Sequence, residues 1–443
     1  MRTLVYGLGE SGVAATRALT QRGKEVLVAD GRDDERLRET LAALDVPGVL
    51  GSGSGVLEGI DRIVASPGIS PRNPVLRAAG ARGIPIISEV GLGLELLGER
   101  ARVAAVTGTN GKTTVVDMLH RMLEASGVPH AVAGNSWRSL TGCVDEARTA
   151  GLLVLEVSSF QLHYLQSPGF EVAALLNVRP DHLNWHSSFE EYSCDKLRIF
   201  EGQRAEDLAL VSAADPIGRA AIGTIKAETL VVGEGDTALR DGRLLLCGSH
   251  LADVTELSFA GTHNHENALF AAAAAQRLGA ELGEIRETLI EYESKPHRMR
   301  VAAQISGVTY VDDSKATNPA AVAAALESFD VPVVLILGGS EKNTDFSEVL
   351  PGLGVCRAVV CQGEAGPRIA AYLEDEGFQD AVHRTPDLEK AVESAAELAR
   401  PGDVVLLSPG CASFDQFPGY AERGDAFIGF ARDLAGHHGT VGR

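Results

Sequence analysis

The stretch Val103-Ala104-Ala105-Val106-Thr107-Gly108-Thr109-Asn110-Gly111-Lys112-Thr113-Thr114 constrains this chain more than any other. It reads as an apolar strand, a glycine-bearing loop with a lysine, and the start of a helix. Gly108 and Gly111 let the backbone turn tightly and present N–H groups to phosphate oxygens. Lys112 supplies a point charge for the outer phosphates, and the Thr113 hydroxyl can ligate Mg2+. The helix keeps Val115, Leu119 and Met122 on one face and is expected to end near Gly127, so its N-terminus faces the same anion. The strict phosphate-loop pattern needs a glycine where this chain has Val106, so the loop is a shortened variant. A glycine-rich turn with a surface lysine is the plain alternative, and the flanking strand and helix argue against it.

At 443 residues the chain is long for one core, and two or three domains are expected. A hydrophobic content of 45% with 49 glycines suits an α/β enzyme with many tight strand–helix turns. The formal charge of −20 argues against a nucleic-acid partner. It also means that a phosphate-bearing ligand must be held by local devices. Cys143, Cys194, Cys247, Cys356, Cys361 and Cys411 form no Cys-x-x-Cys pair, which indicates neither zinc nor a disulfide framework. They read as buried thiols in a reducing compartment. Met1 runs almost directly into a strand, leaving no room for a signal peptide. No apolar run approaches the ~20 residues needed to span a bilayer. A cytoplasmic protein without membrane insertion is expected.

The first region alternates short strands and helices: strand Thr3–Tyr6, turn Gly7-Leu8-Gly9-Glu10-Ser11-Gly12, helix Val13–Arg22, and strand Glu25–Ala29 ending at Asp30. This Gly-x-Gly-x-x-Gly with a later acid is the pattern of a dinucleotide fold. Alone it suggests NAD, but the same turn cradles any diphosphate. Strand Arg62–Ser66 leads into Ser66-Pro67-Gly68-Ile69-Ser70, by itself an ordinary loop. A second region begins near Arg100, and its strands Leu152–Val157 and Val172–Asn177 deliver polar residues at their C-terminal ends, where open parallel sheets bind ligands. Short strands with glycine turns follow, as at Leu239-Arg240-Asp241-Gly242-Arg243-Leu244, then an alanine-rich helix His265–Leu278. A third region, after Pro296-His297-Arg298, reads as strand Val308–Asp312, helix Pro319–Ser328, strands Val331–Leu337 and Arg357–Cys361, a helix from Pro386 and strand Asp403–Ser408. The tail after Ala435, with His437-His438, is expected to fray and reads as neither metal site nor tag. Three α/β domains are expected: a Rossmann-like domain over 1–93, a phosphate-loop domain with a parallel sheet over 94–297, and a Rossmann-like domain over 298–443.

Several single residues carry chemistry. Glu156 ends the apolar run Leu152–Leu155, and an acid beside a phosphate loop usually completes a Mg2+ shell. The alternative is a helix-capping carboxylate before Ser158 and Ser159. Asp181-His182 follows the strand ending at Asn177, which puts His182 on the same sheet edge, although a lone histidine is usually structural. Lys196 lies on an amphipathic helix and reads from its neighbours as a surface lysine. Asn264 in Gly261-Thr262-His263-Asn264-His265-Glu266-Asn267 would cap the alanine-rich helix. Asp312-Asp313-Ser314-Lys315-Ala316-Thr317-Asn318-Pro319 reads as a charged turn.

The short loop Gly-Thr-Asn-Gly-Lys-Thr-Thr resembles the nucleotide loop of the Mur ligase family, ATP-dependent amide ligases of peptidoglycan synthesis and their folate-modifying relatives. The resemblance implies that Gly108, Thr109, Asn110, Gly111, Lys112, Thr113 and Thr114 hold ATP. Asn267 then matches an ATP contact, and Arg298, of the pair His297-Arg298, reaches the nucleotide as the domains close. Asp313 falls at the ribose and Lys315 near the phosphates, so the third domain is expected to move as a rigid body. Lys196 matches a lysine that is typically carbamylated. Lys112, Glu156, His182 and Lys196 are the implied catalytic set. Thr113 and Glu156 would hold one Mg2+, and His182 with carbamylated Lys196 a second.

Within the family, two features resemble the branch that joins UDP-N-acetylmuramoyl-L-alanine to D-glutamate through an acyl phosphate. The opening turn with Ser66-Pro67-Gly68 implies Gly9, Glu10, Ser11, Asp30, Gly31, Arg32, Ser66, Pro67, Gly68 and Asn135 as contacts of the UDP substrate. The run Leu407-Ser408-Pro409-Gly410-Cys411-Ala412-Ser413-Phe414-Asp415-Gln416-Phe417 implies Ser413 and Phe414 at D-glutamate, with Thr317, Lys342 and Tyr420. Two departures stand out. After Asn135 the family usually continues with a small apolar residue and glycine, whereas this chain has Ser136-Trp137-Arg138; and Tyr420 stands where phenylalanine is common. Both substrates are small molecules, and a monomer is expected. A folylpolyglutamate synthetase would open with the phosphate-loop domain, whereas here a domain precedes it. A nicotinamide oxidoreductase leaves the second phosphate loop and Glu156 unexplained, and a nucleotide-binding regulator has no use for an amino-acid pocket.

Overall fold

The computed structural model describes residues 1–51, 53–182, 185–259, 261–293, 296–329, 331–341 and 344–438. Contacts divide the chain into two compact units, Met1–Leu251 with Glu266–Thr288, and Ala252–His265 with Leu289 onward. Among the described residues no helix is long and apolar enough to cross a membrane.

The first unit holds two parallel sheets. One has the strand order Gly48–Leu50, Glu25–Asp30, Arg2–Tyr6, Arg62–Ala65, Ile86–Ser88. Successive side chains on a strand face opposite ways, and here both faces are covered. Leu4 and Tyr6 join one apolar cluster with Leu27, Ala29, Ile63 and Ala65, while Val5 joins another with Val26, Val28 and Val64. That is why these strands read as continuous apolar runs. The helix after the first strand spans Glu10–Thr20, starting three residues before the expected Val13.

The second sheet has the order Glu228–Val232, Leu208–Ser212, Val172–Leu175, Arg102–Thr107, Leu152–Glu156, Ala131–Gly134, again all parallel. The phosphate-loop strand Arg102–Thr107 is interior, flanked by two later strands that lie on opposite sides of it. Its C-terminal end is therefore a topological switch point, where such sheets bind ligands. Beyond it, Ala238–Arg240 and Arg243–Leu246 pair antiparallel around Asp241-Gly242, both at positive φ, the two-residue hairpin their sequence predicts.

The second unit is built on a mixed sheet ordered Arg300–Ile305, Val308–Asp312, Val404–Leu407, Val333–Gly338, Cys356–Gln362, Val382–Arg384. The first strand runs antiparallel to the second through Ser306-Gly307, both at positive φ, and the other pairings are parallel. The sequence reading lacks that edge strand. Val333, Leu335 and Leu337 face one core and Val334 and Ile336 the other, so this sheet too is covered on both faces.

Two other expectations need correction. The last helix continues from Tyr420 to His438, three residues past the Ala435 after which fraying was expected, and residues 439–443 lie outside the described residues. Of the six cysteines, all free, Cys194 and Cys247 are exposed rather than buried.

Candidate active site

The phosphate loop is held from below by its neighbouring strand. Asn177, just past Val172–Leu175, accepts the Thr109 N–H on its carbonyl and the Asn110 N–H on Oδ1, both at 2.9 Å. Gly111 has φ +85°, and a Cβ there would come 2.5 Å from Asn267 Oδ1, so glycine is needed for the loop to pass under that amide. The helix Lys112–Ala125 starts immediately afterwards, with Thr113 and Thr114 in its first turn. Its leading N–H groups and dipole favour an anion at this spot. Lys112 Nζ folds back on the loop, donating to the Gly108 and Thr109 carbonyls at 2.8 and 2.9 Å. Burial lowers its pKa, and the Glu156 and Asp181 charges oppose that shift.

Glu156 is fully buried. Its Oε1 accepts from Ser136 Oγ at 2.8 Å and Asn135 Nδ2 at 3.0 Å, while Oε2 has no partner among the described residues. The helix-capping alternative does not hold, because Ser158 and Gln161 form the capping box of that helix themselves. A dry carboxylate oxygen without a donor is costly unless a cation meets it. Together with the Thr113 hydroxyl it makes a hard-oxygen set of the kind Mg2+ prefers.

Lys196 contradicts its surface reading. It is 2% exposed, and its Nζ donates to the Gly108 carbonyl at 2.7 Å and lies 4.8 Å from the centre of the Tyr192 ring. Burial, then the Lys112 charge, push its pKa well below the usual lysine range. His182 sits at φ +55° beside Asp181. Burial lowers its pKa against the pull of Asp181, and the Lys112 and Lys196 charges lower it further. Lys112, Glu156, His182 and Lys196 thus surround one loop.

In the same unit, a cavity of about 590 Å3 is lined by Gly9, Glu10, Ser11, Asp30, Arg32, Ser66, Pro67 and Gly68 from the first sheet, and by Asn135 from the second. Gly31 is not among its lining residues. The turn is tight because a Cβ at Gly12 would collide with the Gly7 carbonyl, which also accepts from Ser66 Oγ at 3.1 Å. Asp30 accepts the Leu8 and Arg32 N–H groups, each at 2.9 Å. Burial alone would raise its pKa, but these bonds and the Arg32 guanidinium hold it below the ordinary value.

The second unit gathers another set at its strand ends. The Asp313 N–H donates to the Leu407 carbonyl and the Gly410 N–H to the Ala316 carbonyl, which joins the loop carrying Lys315 and Thr317 to the one leading to Ser413. Asp313 is buried, accepting from Ser408 Oγ at 2.9 Å, and its pKa rises to about 7, mainly through burial. Lys315 Nζ stands 3.8 Å over the Tyr420 ring. Ser413 is buried, Arg298 and Thr317 are exposed, and Phe414 is 70% exposed. Lys342 lies outside the described residues.

Family models match along the chain: a Mur ligase MurD-like N-terminal domain over residues 1–88, a Mur ligase middle domain over 106–275, and a Mur ligase glutamate ligase domain over 297–411. A UDP-N-acetylmuramoylalanine--D-glutamate ligase from Rubrobacter xylanophilus is 68% identical, covering 97% of this chain and 98% of that protein. The chain belongs to the Mur ligase family. A Streptomyces coelicolor member bearing the same name is 38% identical over 97% of each chain. Among solved structures, MurF ligase from Thermotoga maritima in complex with ADP superposes with a TM-score of 0.52 at 19% identity, covering 93% of this chain and 95% of that one. A pseudomurein peptide ligase type C from Methanothermus fervidus gives 0.50 at 20% identity, covering 92% and 97%. These two likenesses concern the Mur ligase fold alone.

Sequence reasoning passed over several residues of this Mur ligase site. Asn177 carries the phosphate loop, and its place at a strand end was the available signal. Tyr192 Oη lies 2.8 Å from Thr109 Oγ1. Glu89, Trp137 and Gln161 line the cavity with the expected residues. Glu89 accepts the Thr141 N–H at 2.6 Å, at the start of helix Leu140–Ala150, from a strand end in the first sheet. Nothing in its local sequence announces that reach.

Proposed function

We propose that this Mur ligase joins the carboxylate of UDP-N-acetylmuramoyl-L-alanine to the amine of D-glutamate, converting ATP to ADP and phosphate, in cytoplasmic synthesis of a peptidoglycan precursor. The names of its relatives support this, as does the MurD-like N-terminal model. The observation that carries it is the span of one cavity. Its lining includes Gly9 and Ser66 at the glycine turn and Asn135, whose amide donates to Glu156 beside the phosphate loop. A nucleotide-sugar bound at the turn would reach the phosphate-transfer site with its far end.

A carboxylate is a poor acyl donor, so it must first be activated. Its oxygen attacks the γ-phosphorus of ATP, the bond to the β,γ-bridging oxygen breaks, and ADP leaves. The amine of D-glutamate then attacks the acyl carbon, the acyl carbon–oxygen bond to the phosphate breaks, phosphate departs and the nitrogen loses a proton. Lys112 and the leading N–H groups of its helix offset charge on the transferring phosphoryl group. Thr113 and Glu156 would hold one Mg2+, and His182 and carbamylated Lys196 a second. Such ions supply neutralisation of the phosphate and carboxylate charges. As an ammonium, Lys196 offers no oxygen, so its place in this set depends on carbamylation. Asn267, Arg298, Asp313 and Lys315 would serve the nucleotide, and Thr317, Lys342, Ser413, Phe414 and Tyr420 the D-glutamate. On this reading the functional domains are 1–93, 94–297 and 298–443, working as a monomer.

Borohydride tests the scheme. Enzyme, ATP and UDP-N-acetylmuramoyl-L-alanine without amino acid should give the reduced alcohol of the substrate. Absence of the alcohol together with release of AMP would overturn it.

A further inference from the structure

The turn after Asn135 is where this chain departs from the pattern of its family, and it is firmly pinned. Asn135 N–H donates to the Glu156 carbonyl, Gly134 N–H to the Arg138 carbonyl and Trp137 N–H to the Gly134 carbonyl, each at 2.9 Å. Gly134 has φ +112°, and a Cβ there would collide with the Glu156 carbonyl oxygen. Only glycine lets the two strand ends come this close. The consequence is the placement of Ser136: its Oγ lies 2.8 Å from Glu156 Oε1 and 3.2 Å from Thr113 Oγ1.

Counting protons fixes the direction of this chain of bonds. A hydroxyl has one proton and two lone pairs, and a carboxylate only accepts. The Ser136 proton therefore goes to Glu156 Oε1, and the Thr113 proton goes to Ser136 Oγ. Asn135 Nδ2 adds a second donor to Oε1 at 3.0 Å. Among the described residues Oε2 is left buried without a donor, and Thr113 Oγ1 keeps its lone pairs. Those are the two oxygens a divalent cation would need.

We propose that Ser136 is a positioning residue, whose hydroxyl aligns the Thr113 hydroxyl and the Glu156 carboxylate for the divalent cation that accompanies the nucleotide. The assignment rests on the reading that the loop takes a metal–nucleotide complex. Alanine at this place leaves Thr113 without its acceptor and Glu156 Oε1 with the Asn135 amide alone. Losing a hydrogen bond that orients a metal ligand costs about 10- to 100-fold in metal affinity.

The test uses the full chain with ADP and Mn2+, following free Mn2+ by electron paramagnetic resonance. S136A should bind Mn2+ at least about tenfold more weakly, and Ser136→Thr, which keeps the hydroxyl, should recover most of that loss. All three proteins should melt alike, and the Mg2+ concentration for half-maximal activity should rise in S136A while the KM for D-glutamate stays unchanged. Should S136A unfold, Ser136→Cys, a poor donor of similar size, replaces it with the same expectation. Unchanged Mn2+ affinity in a folded variant would overturn the role of Ser136, and product formation by that variant would leave the ligase reading intact. Conversely, wild type that binds Mn2+ and ADP but makes no amide would fail the ligase reading, with the Mn2+ titration still deciding Ser136.

Discussion

Lys112 and Lys196 donate to one oxygen, the Gly108 carbonyl, at 2.8 and 2.7 Å. Both ammonium groups are largely removed from water, and each raises the cost of the other's charge. Lys112 has the carboxylates of Glu156 and Asp181 to offset burial. Lys196, more deeply buried, is opposed by Lys112 and helped by Asp181 alone. The pair therefore favours loss of the proton from Lys196. A neutral amine is the form that adds to CO2, giving a carbamate and releasing a proton.

Lys196→Ala should fold and lose activity by about 100-fold or more. Wild type under 13C-labelled CO2 should show one carbamate resonance that the variant lacks. Full activity in the variant would refute the assignment.

The glycine turn offers a matched pair of variants. Gly9 has an ordinary φ of −73°, and a Cβ there would meet no protein atom within 4 Å, yet it lines the cavity. Gly9→Ala should melt like wild type and raise the KM for the UDP substrate roughly tenfold, ~1.4 kcal/mol, with the KM for ATP unchanged. Gly12→Ala instead drives a methyl into the Gly7 carbonyl and should cost about 1–3 kcal/mol of stability. Equal melting temperatures for the two would contradict the packing described.

Asp313 makes the second unit pH-sensitive. Its folded pKa of about 7 lies above the unfolded value of ~3.9, so the native state binds more protons between them. Its contribution is full below pH ~3.9 and is lost as the pH rises through 7. Asp313→Asn cannot ionise, so it should gain on wild type between pH 5 and pH 8, by about 2–3 kcal/mol. Urea midpoints at the two pH values measure this, and parallel curves would refute it.

Legibility in the sequence followed the range of the interactions. The phosphate loop was legible because its strand, glycines and helix are consecutive, and the covered sheets because their runs are apolar on both faces. Lys196 was not. The helix Phe189–Leu197 buries Tyr192, Ser193, Asp195 and Lys196, a largely polar face, while Cys194 is exposed. Asp195 is met by His163 at 2.7 Å and His186 at 3.3 Å, and Lys196 by Gly108, so distant partners make that burial possible. Apolar periodicity reads such a helix inside out. The edge strand Arg300–Ile305 was missed for a different reason: its pattern is weak, and Ser306-Gly307 is a short hairpin signal. Ser136 showed itself only as a departure, because its partners come from the first turn of one helix and the end of another strand.

The most direct measurement is phosphate release from ATP with UDP-N-acetylmuramoyl-L-alanine across D-glutamate, L-glutamate, L-alanine, L-lysine and diaminopimelate. Two carboxylates must be held while the amine faces the acyl phosphate, so only one enantiomer should fit, and a monocarboxylate leaves a buried polar group unpaired at about 1–3 kcal/mol. D-glutamate should release phosphate far faster than the others. Release with L-alanine or diaminopimelate at the D-glutamate rate would contradict the assignment, leaving the family but not the substrate.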